Sequence, residues 1–242
     1  MATKYSVISY NDGDNATTRV EEISAILNDY KPDLFGLQET QEKHMPIYSE
    51  LIPGYKYVYF DNDGTTFNSQ PIFYRADKFE LLESGIKWMS DTPDVRSKYP
   101  ESAYTRSYTY ALLKDLATAQ TILMVNTHAD YCDEGNQKQI KKMLEITGEM
   151  YPNVPKFFTA DWNMYRTSAG YAILRDAGMI ATEEFLPDVE KPTTIIGGST
   201  AIDFCFVDQR YFKGVAYKVI NDHKYSETAS DHYPLYTEIE LI

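Results

Sequence analysis

Strand-like runs in this chain repeatedly end on residues that carry chemistry, and that repetition limits what the chain can fold into. Tyr5-Ser6-Val7-Ile8-Ser9-Tyr10 runs into Asn11, and Leu34-Phe35-Gly36-Leu37-Gln38 closes on Glu39. The run from Thr121 closes on His128, and the run from Val154 leads to Asp161-Trp162-Asn163. Ser230-Asp231-His232 opens a last run, where Leu235, Ile239 and Leu241 alternate with Glu238 and Glu240 in the period of a half-buried strand. Another acid, Asp203, lies inside the apolar run Ile202 to Val207. Each has a bland account when taken alone. His128 reads as a satisfied strand-end histidine and Asp161-Trp162-Asn163 as a turn. Glu39 either caps the next helix or meets a partner or cation, because burying a lone carboxylate is costly. The bland account handles their repetition badly.

Helical patterns separate these runs. Val20, Ile23, Leu27 and Tyr30 recur at helical spacing over about 16–30, with Thr18 and Glu21 spaced as a capping box. Further helices are expected over about 41–51, 134–151 and 166–176. Strands are expected over 55–60, 70–75, 79–83, 104–113 and 212–220. Turn chemistry marks 61–64, and a loop rich in Pro, Thr and Gly spans 187–200. The segment from Trp88 to Pro100 reads as a long loop, a feature that on a packed domain is often functional. Arg106 sits in a strand-like run and reads, alone, as a solvent-facing arginine. Strands alternating with helices in 242 residues, 43% of them apolar, fit one α/β domain over 1–242. No linker or internal repeat divides it.

The net charge of −13 opposes tight non-specific binding to nucleic acid, which needs Lys and Arg to neutralise phosphates. It leaves room for a small basic pocket holding one phosphate. Cys132 and Cys205 are too few for a disulfide framework, and Cys205, among Phe204, Phe206 and Val207, reads as a buried thiol. No apolar run is long enough for a transmembrane segment. Met1-Ala2-Thr3-Lys4 runs straight into a strand without a signal peptide, so the chain is expected to be cytoplasmic or the mature form of an exported protein.

Taken in order, these motifs resemble the endonuclease/exonuclease/phosphatase superfamily, in a bacterial branch. Ser9-Tyr10-Asn11 is similar to its first-strand asparagine motif, and Leu37-Gln38-Glu39-Thr40 to its leucine-glutamine-glutamate motif. Asn126-Thr127-His128 resembles its catalytic-histidine strand, and Asp161-Trp162-Asn163 its Gly-Asp-Phe-Asn motif, with Ala160 in place of the glycine. Ile202-Asp203-Phe204 and Ser230-Asp231-His232 resemble its closing pair. Trp88-Met89-Ser90-Asp91-Thr92-Pro93 is similar to a loop of the branch, with Arg106 as the basic residue that follows. Gln137 stands where the branch leads one to expect arginine.

The resemblance implies a DNase I-like α/β (α+β) fold, a four-layer α/β/β/α sandwich of two mixed sheets packed face to face with helices outside. It implies hydrolysis of a phosphoester by in-line water attack, with Asn11, Glu39 and Asp231 as ligands of Mg²⁺ or Mn²⁺. The same residues are oxygen donors of the kind hard cations prefer. Asp203 is expected to orient His232. His128 and Asn163 are expected to donate to the phosphoryl group, with Arg106 and Trp88 contacting substrate. His232 is the favoured base, with Asp161 as the alternative. A monomer acting on a small or lipid-derived phosphoester, phosphodiesterase or phosphatase, is expected. The rivals are a nuclease of the same superfamily and a catalytically silent binding protein that kept the fold.

Overall fold

The computed structural model describes residues 2–12, 17–61, 69–187, 192–195 and 200–242. The turn expected over 61–64 lies, beyond Asp61, outside the described residues, as does most of the 187–200 loop. Among the described residues, twelve strands form two mixed sheets of six. The first sheet is built from β1 (Lys4–Asn11), β2 (Leu34–Gln38), β3 (Tyr55–Val58), β4 (Ile72–Arg75), β11 (Phe212–Val219) and β12 (Leu235–Leu241), in the order β11-β12-β1-β2-β4-β3. The second comprises β5 (Phe79–Trp88), β6 (Ser107–Asp115), β7 (Thr121–His128), β8 (Lys156–Asp161), β9 (Met179–Ala181) and β10 (Asp203–Asp208), in the order β5-β6-β7-β8-β10-β9.

Alternation along the strands sorts side chains into three apolar layers. Val7, Leu34, Met124, Phe157 and Val207 meet between the sheets. The opposite faces of the same strands present Ile8, Phe35 and Leu37 to the helices α1 (Thr17–Tyr30) and α2 (Met45–Leu51). Leu123, Val125, Phe158 and Phe206 face α3 (Asp133–Met150) and α4 (Ala169–Asp176). Helix, sheet, sheet and helix therefore stack as the expected four-layer α/β/β/α sandwich.

The register of two strand pairs positions the candidate site. β1 and β2 are parallel neighbours, as are β7 and β8, so each pair ends at one edge. Asn11 registers with Gln38, and His128 with Asp161. β10 runs antiparallel to β8 and begins there, placing Asp203 opposite Asp161. β12 runs antiparallel to β1 and begins just after His232.

Several elements differ from expectation, each for a physical reason. α1 begins at Thr17, so Thr18 lies inside the first turn rather than capping it. The 41–51 helix splits into a 3-10 turn over Glu42–His44 and α2, which carries Pro46 in its first turn. β5 runs on to Trp88 through Gly85, where a Cβ would lie 2.6 Å from the Tyr110 ring, so the glycine marks close packing rather than a strand end. β6 starts at Ser107, leaving Arg106 just before the strand. α4 starts at Ala169, after a turn in which Ser168 Oγ accepts from Tyr165 N at 3.0 Å. The short edge strand β9 is too brief to show a period in sequence.

The space between the sheets turns polar toward the site. Gln38 Nε2 and Thr159 Oγ1 donate to Asn126 Oδ1 at 2.7 and 3.0 Å. Asn126 Nδ2 donates to the carbonyls of Leu37 and Pro71 at 2.7 and 2.9 Å. This carboxamide thus ties β7 to the first sheet across the sandwich. A Cβ at Gly36 would lie 2.5 Å from both Asn126 Cγ and Thr159 Oγ1, so glycine is what lets the layers close. Gly36→Ala should destabilise the protein by about 1–3 kcal/mol, the usual cost of overpacking. For a chain of this size that lowers Tm by roughly 2–4 °C per kcal/mol. Thermal denaturation checks it, and an unchanged Tm would mean that the polar layer yields freely.

Candidate active site

Alternation delivers four of the candidate residues carried at strand ends to the space between the sheets. Asn11 shares a face with Val7, His128 with Met124, Asp161 with Phe157, and Asp203 with Val207. Glu39 is the exception. Its parity follows Phe35 and Leu37, which face the helices. Its backbone, however, turns left-handed at φ 60°, and the carboxylate comes to lie 3.6 Å from His128 Nδ1. Asn163, two residues beyond β8, is also left-handed at φ 50°. Such a conformation costs a non-glycine residue about 1–3 kcal/mol, and it concentrates where side chains must be re-aimed.

His128 is fixed by donors on one side. Asn163 Nδ2 lies 2.9 Å and Arg106 Nη2 3.2 Å from its Nε2. Two donors facing Nε2 make it an acceptor, so the ring is neutral with its proton on Nδ1. Burial, then the Arg106 charge, pushes its pKa well below the ordinary histidine value. Nδ1 is buried with no hydrogen-bond partner among the described residues, a donor 3.6 Å from the Glu39 carboxylate. Asn163 Nδ2 also donates to Ala129 O at 3.0 Å, so its two hydrogens are engaged within the protein. Here Asn163 orients His128, and its expected hydrogen bond to a phosphoryl group would require those bonds to open. Arg106 is only 6% exposed rather than solvent-facing.

A second imidazole sits between two carboxylates. His232 Nδ1 lies 2.9 Å from Asp203 Oδ2, and its Nε2 lies 3.8 Å from Asp161 Oδ2. Burial works against its charge, but Asp203, then Asp161 and Asp231, outweigh it and raise its pKa above the ordinary value. Thr193 Oγ1 donates to the same Asp203 oxygen at 2.5 Å. Asp161 Oδ1 accepts from Asn163 N at 2.9 Å and Oδ2 from Asn11 Nδ2 at 3.0 Å. Burial and the neighbouring Asp203 charge still push the Asp161 carboxyl upward. Glu39 is raised too, by burial and by Asp231, against the hydrogen bond from Asn11.

Carboxylates outnumber cations here, which is the condition under which a divalent ion fits. Asp161, Asp203 and His232 present ligand atoms within 4.8 Å of one another, a buried group able to hold a cation. Asp203 and His232 are spent on each other, however, and the more open carboxylates belong to Glu39 and Asp231, with the Asn11 carboxamide buried beside Glu39. Asp231 is exposed and stands beside Ser230, whose Oγ donates to Asn11 O at 2.6 Å and ties this loop to the end of β1. Trp88 closes β5 opposite Ser107 and is 8% exposed, with the Arg96 guanidinium 6.0 Å from its ring centroid. A ring so covered anchors the loop that carries Arg106 and offers little face to a ligand.

Thr193, Ser230 and the Asn126 layer support these side chains without any strand-end signature of their own. Ser230 belongs to the Ser230-Asp231-His232 motif, and Asn126 lies two residues before His128. Nothing in sequence distinguished Thr193 from other loop threonines.

No family model and no curated protein sequence matches the chain. Solved structures do. A crystal structure of an endonuclease/exonuclease/phosphatase family protein from Bacteroides thetaiotaomicron superposes with a TM-score of 0.88 at 25% identity, covering 100% of this chain and 99% of that one. The chain shares the fold of the endonuclease/exonuclease/phosphatase superfamily. A superfamily member from Bacteroides vulgatus gives a TM-score of 0.90 at 23% identity over 99% of this chain and 100% of its own. A mannosyl-6-phosphatase from Bacteroides thetaiotaomicron gives 0.86 at 26% identity over 98% and 99%. The resemblance to a bacterial branch of the superfamily therefore extends over the whole chain.

With a carboxylate at each ring nitrogen, His232 should remain protonated in EDTA through neutral pH and titrate above the ordinary value near 6.5. Its stabilising contribution is then complete below that value and is lost as pH rises through the elevated folded pKa. Imidazole NMR across pH checks this. Asp203→Asn should move the titration downward, and a wild-type His232 titrating near 6.5 would contradict the pairing.

Proposed function

We propose that the chain is a divalent-metal-dependent phosphoester hydrolase, acting as a monomeric domain over 1–242 by in-line attack of water on a small phosphoester. The observation that carries this reading is the cluster around the His128 ring, with Glu39 3.6 Å from Nδ1, Asp161 3.6 Å from Nε2, and Asn11 and His232 gathered on Asp161. That arrangement offers acidic oxygens for a cation and a fixed neutral donor for a phosphoryl oxygen. Glu39, Asn11 and Asp231 would hold Mg²⁺ or Mn²⁺, whose charge would polarise the phosphoryl oxygen and steady the leaving oxygen.

The chain's own groups do the rest. His128 Nδ1–H donates to a phosphoryl oxygen as negative charge builds there, with Arg106 and Asn163 holding the ring. His232, between Asp203 and Asp161, carries a positive charge toward the phosphoryl group. Asp161 takes the proton of the attacking water, the alternative to His232 weighed above. The P–O bond to the leaving group breaks as the bond to water forms, and the leaving oxygen takes a proton from solvent.

The net charge of −13 supports a small substrate over duplex nucleic acid. The likeness to a mannosyl-6-phosphatase at 26% identity supports a phosphomonoester. Hydrolysis should vanish in EDTA and return with Mg²⁺ or Mn²⁺, and Glu39→Ala should lower kcat/KM about 10²-fold or more. Assays against phosphomonoesters, phosphodiesters and DNA check both. Full activity in chelator would remove the metal-hydrolase reading, and preference for duplex DNA with a steep salt dependence would turn it toward a nuclease.

A further inference from the structure

Two exposed tyrosines stand beside the histidine cluster, and the function above gives them no task. Tyr104 and Tyr131 are 50% and 57% exposed, whereas Tyr5, Tyr10, Tyr48 and Tyr108 are buried in the core. Their rings meet edge to face, with centroids 5.8 Å apart. The Arg106 guanidinium lies over the Tyr104 ring, 5.1 Å from its centroid, while Arg106 Nη2 reaches His128 Nε2. A single guanidinium therefore separates the imidazole from the tyrosine pair.

One wholly buried carboxylate holds the backbone beneath both rings. Asp130 Oδ2 accepts from Tyr104 N at 2.8 Å, and Oδ1 accepts from Cys132 N, next to Tyr131, at 2.9 Å. Asp130 is itself fixed, since its N–H donates to Gln139 Oε1 at 3.0 Å and its carbonyl accepts from Asn136 Nδ2 at 2.8 Å. Two segments distant in sequence are thus clamped so that their rings form a corner open to water. Large rings held rigid and wet gain contact area from a ligand at little further entropic cost.

We propose that Tyr104 and Tyr131 form the subsite for the leaving group of the phosphoester, and that this group carries a ring laid against the tyrosines. The proposal rests on the phosphoester reading above. A pyranose presents C–H bonds and a nucleobase a π-face, and both stack on tyrosine. With the phosphoryl group at His128, Arg106 spans the boundary between phosphate and ring.

The test compares mannose 6-phosphate, AMP and glycerol 3-phosphate, two ring-bearing esters and one without a ring. In Tyr131→Ala and in Tyr104→Ala, kcat/KM for a ring-bearing ester relative to glycerol 3-phosphate should fall about tenfold, the scale of one lost stacking contact. Tyr131→Phe should keep the wild-type ratio. The ring whose ratio collapses is the one the subsite takes, pyranose or nucleobase. If neither ratio changes in either alanine variant, the subsite is refuted. Calorimetry in EDTA, with mannose 6-phosphate or AMP against inorganic phosphate, gives the same comparison without turnover. Ring-dependent binding that Tyr131→Ala weakens, in a protein that hydrolyses nothing, would sink the hydrolase reading and keep the subsite. Ring-independent binding, with hydrolysis intact, would do the reverse.

Discussion

The parallel pairing of β1 with β2 and of β7 with β8 is the constraint on which the site depends. Parallel neighbours end together, so two such pairs facing each other bring four strand ends to one edge of the sandwich. The antiparallel strands β10 and β12 begin at that edge and add Asp203 and His232. A one-residue slip in any of these registers would reverse the side chains of that strand, sending its polar residue toward a helix. The polar layer around Asn126 holds the pairs together across the sandwich. The Asn126 carboxamide is paired at both ends, and leaving either end of a buried amide unpaired is costly, which makes its geometry specific.

Concentrating acids at one edge has consequences for the backbone and for protons. Glu39 and Asn163 adopt left-handed conformations, and the carboxyls of Glu39 and Asp161 are driven toward the protonated form. Bound Mg²⁺ or Mn²⁺ would relieve that repulsion, which is why the same arrangement points to a cation. The two imidazoles are tuned in opposite senses. His128 faces donors and stays neutral, while His232 lies between carboxylates and holds its proton. Two histidines with different protonation states let one edge present both a neutral donor and a positive charge.

Much of this was legible in the sequence because alternation carries direction. Asn11, His128, Asp161 and Asp203 each share a face with apolar residues of the intersheet core, so naming the strand nearly names the site. Glu39 was legible only as a strand-end acid, since alternation aims it at the helices and a backbone turn redirects it. Arg106 looked solvent-facing because its burial comes from a loop and from His128, not from its own strand. Several of the largest buried side chains are tyrosines, so residue type alone does not mark Tyr104 and Tyr131 as exposed; the Asp130 clamp sets their place. Thr193 supports Asp203 from outside the strands, a contact with no periodicity to reveal it.

The central claim is that the strand-end acids form a divalent-cation site beside His128 and His232. Titrating the protein with Mn²⁺ while following its histidine NMR signals tests this most directly. His128 and His232 stand in the cluster, whereas His223 is paired with Asp29 of α1. Saturable broadening of His128 and His232 ahead of His223, abolished by Glu39→Ala and displaced by excess Mg²⁺, is the predicted result. Broadening that is absent, or equal at His223, would contradict the account.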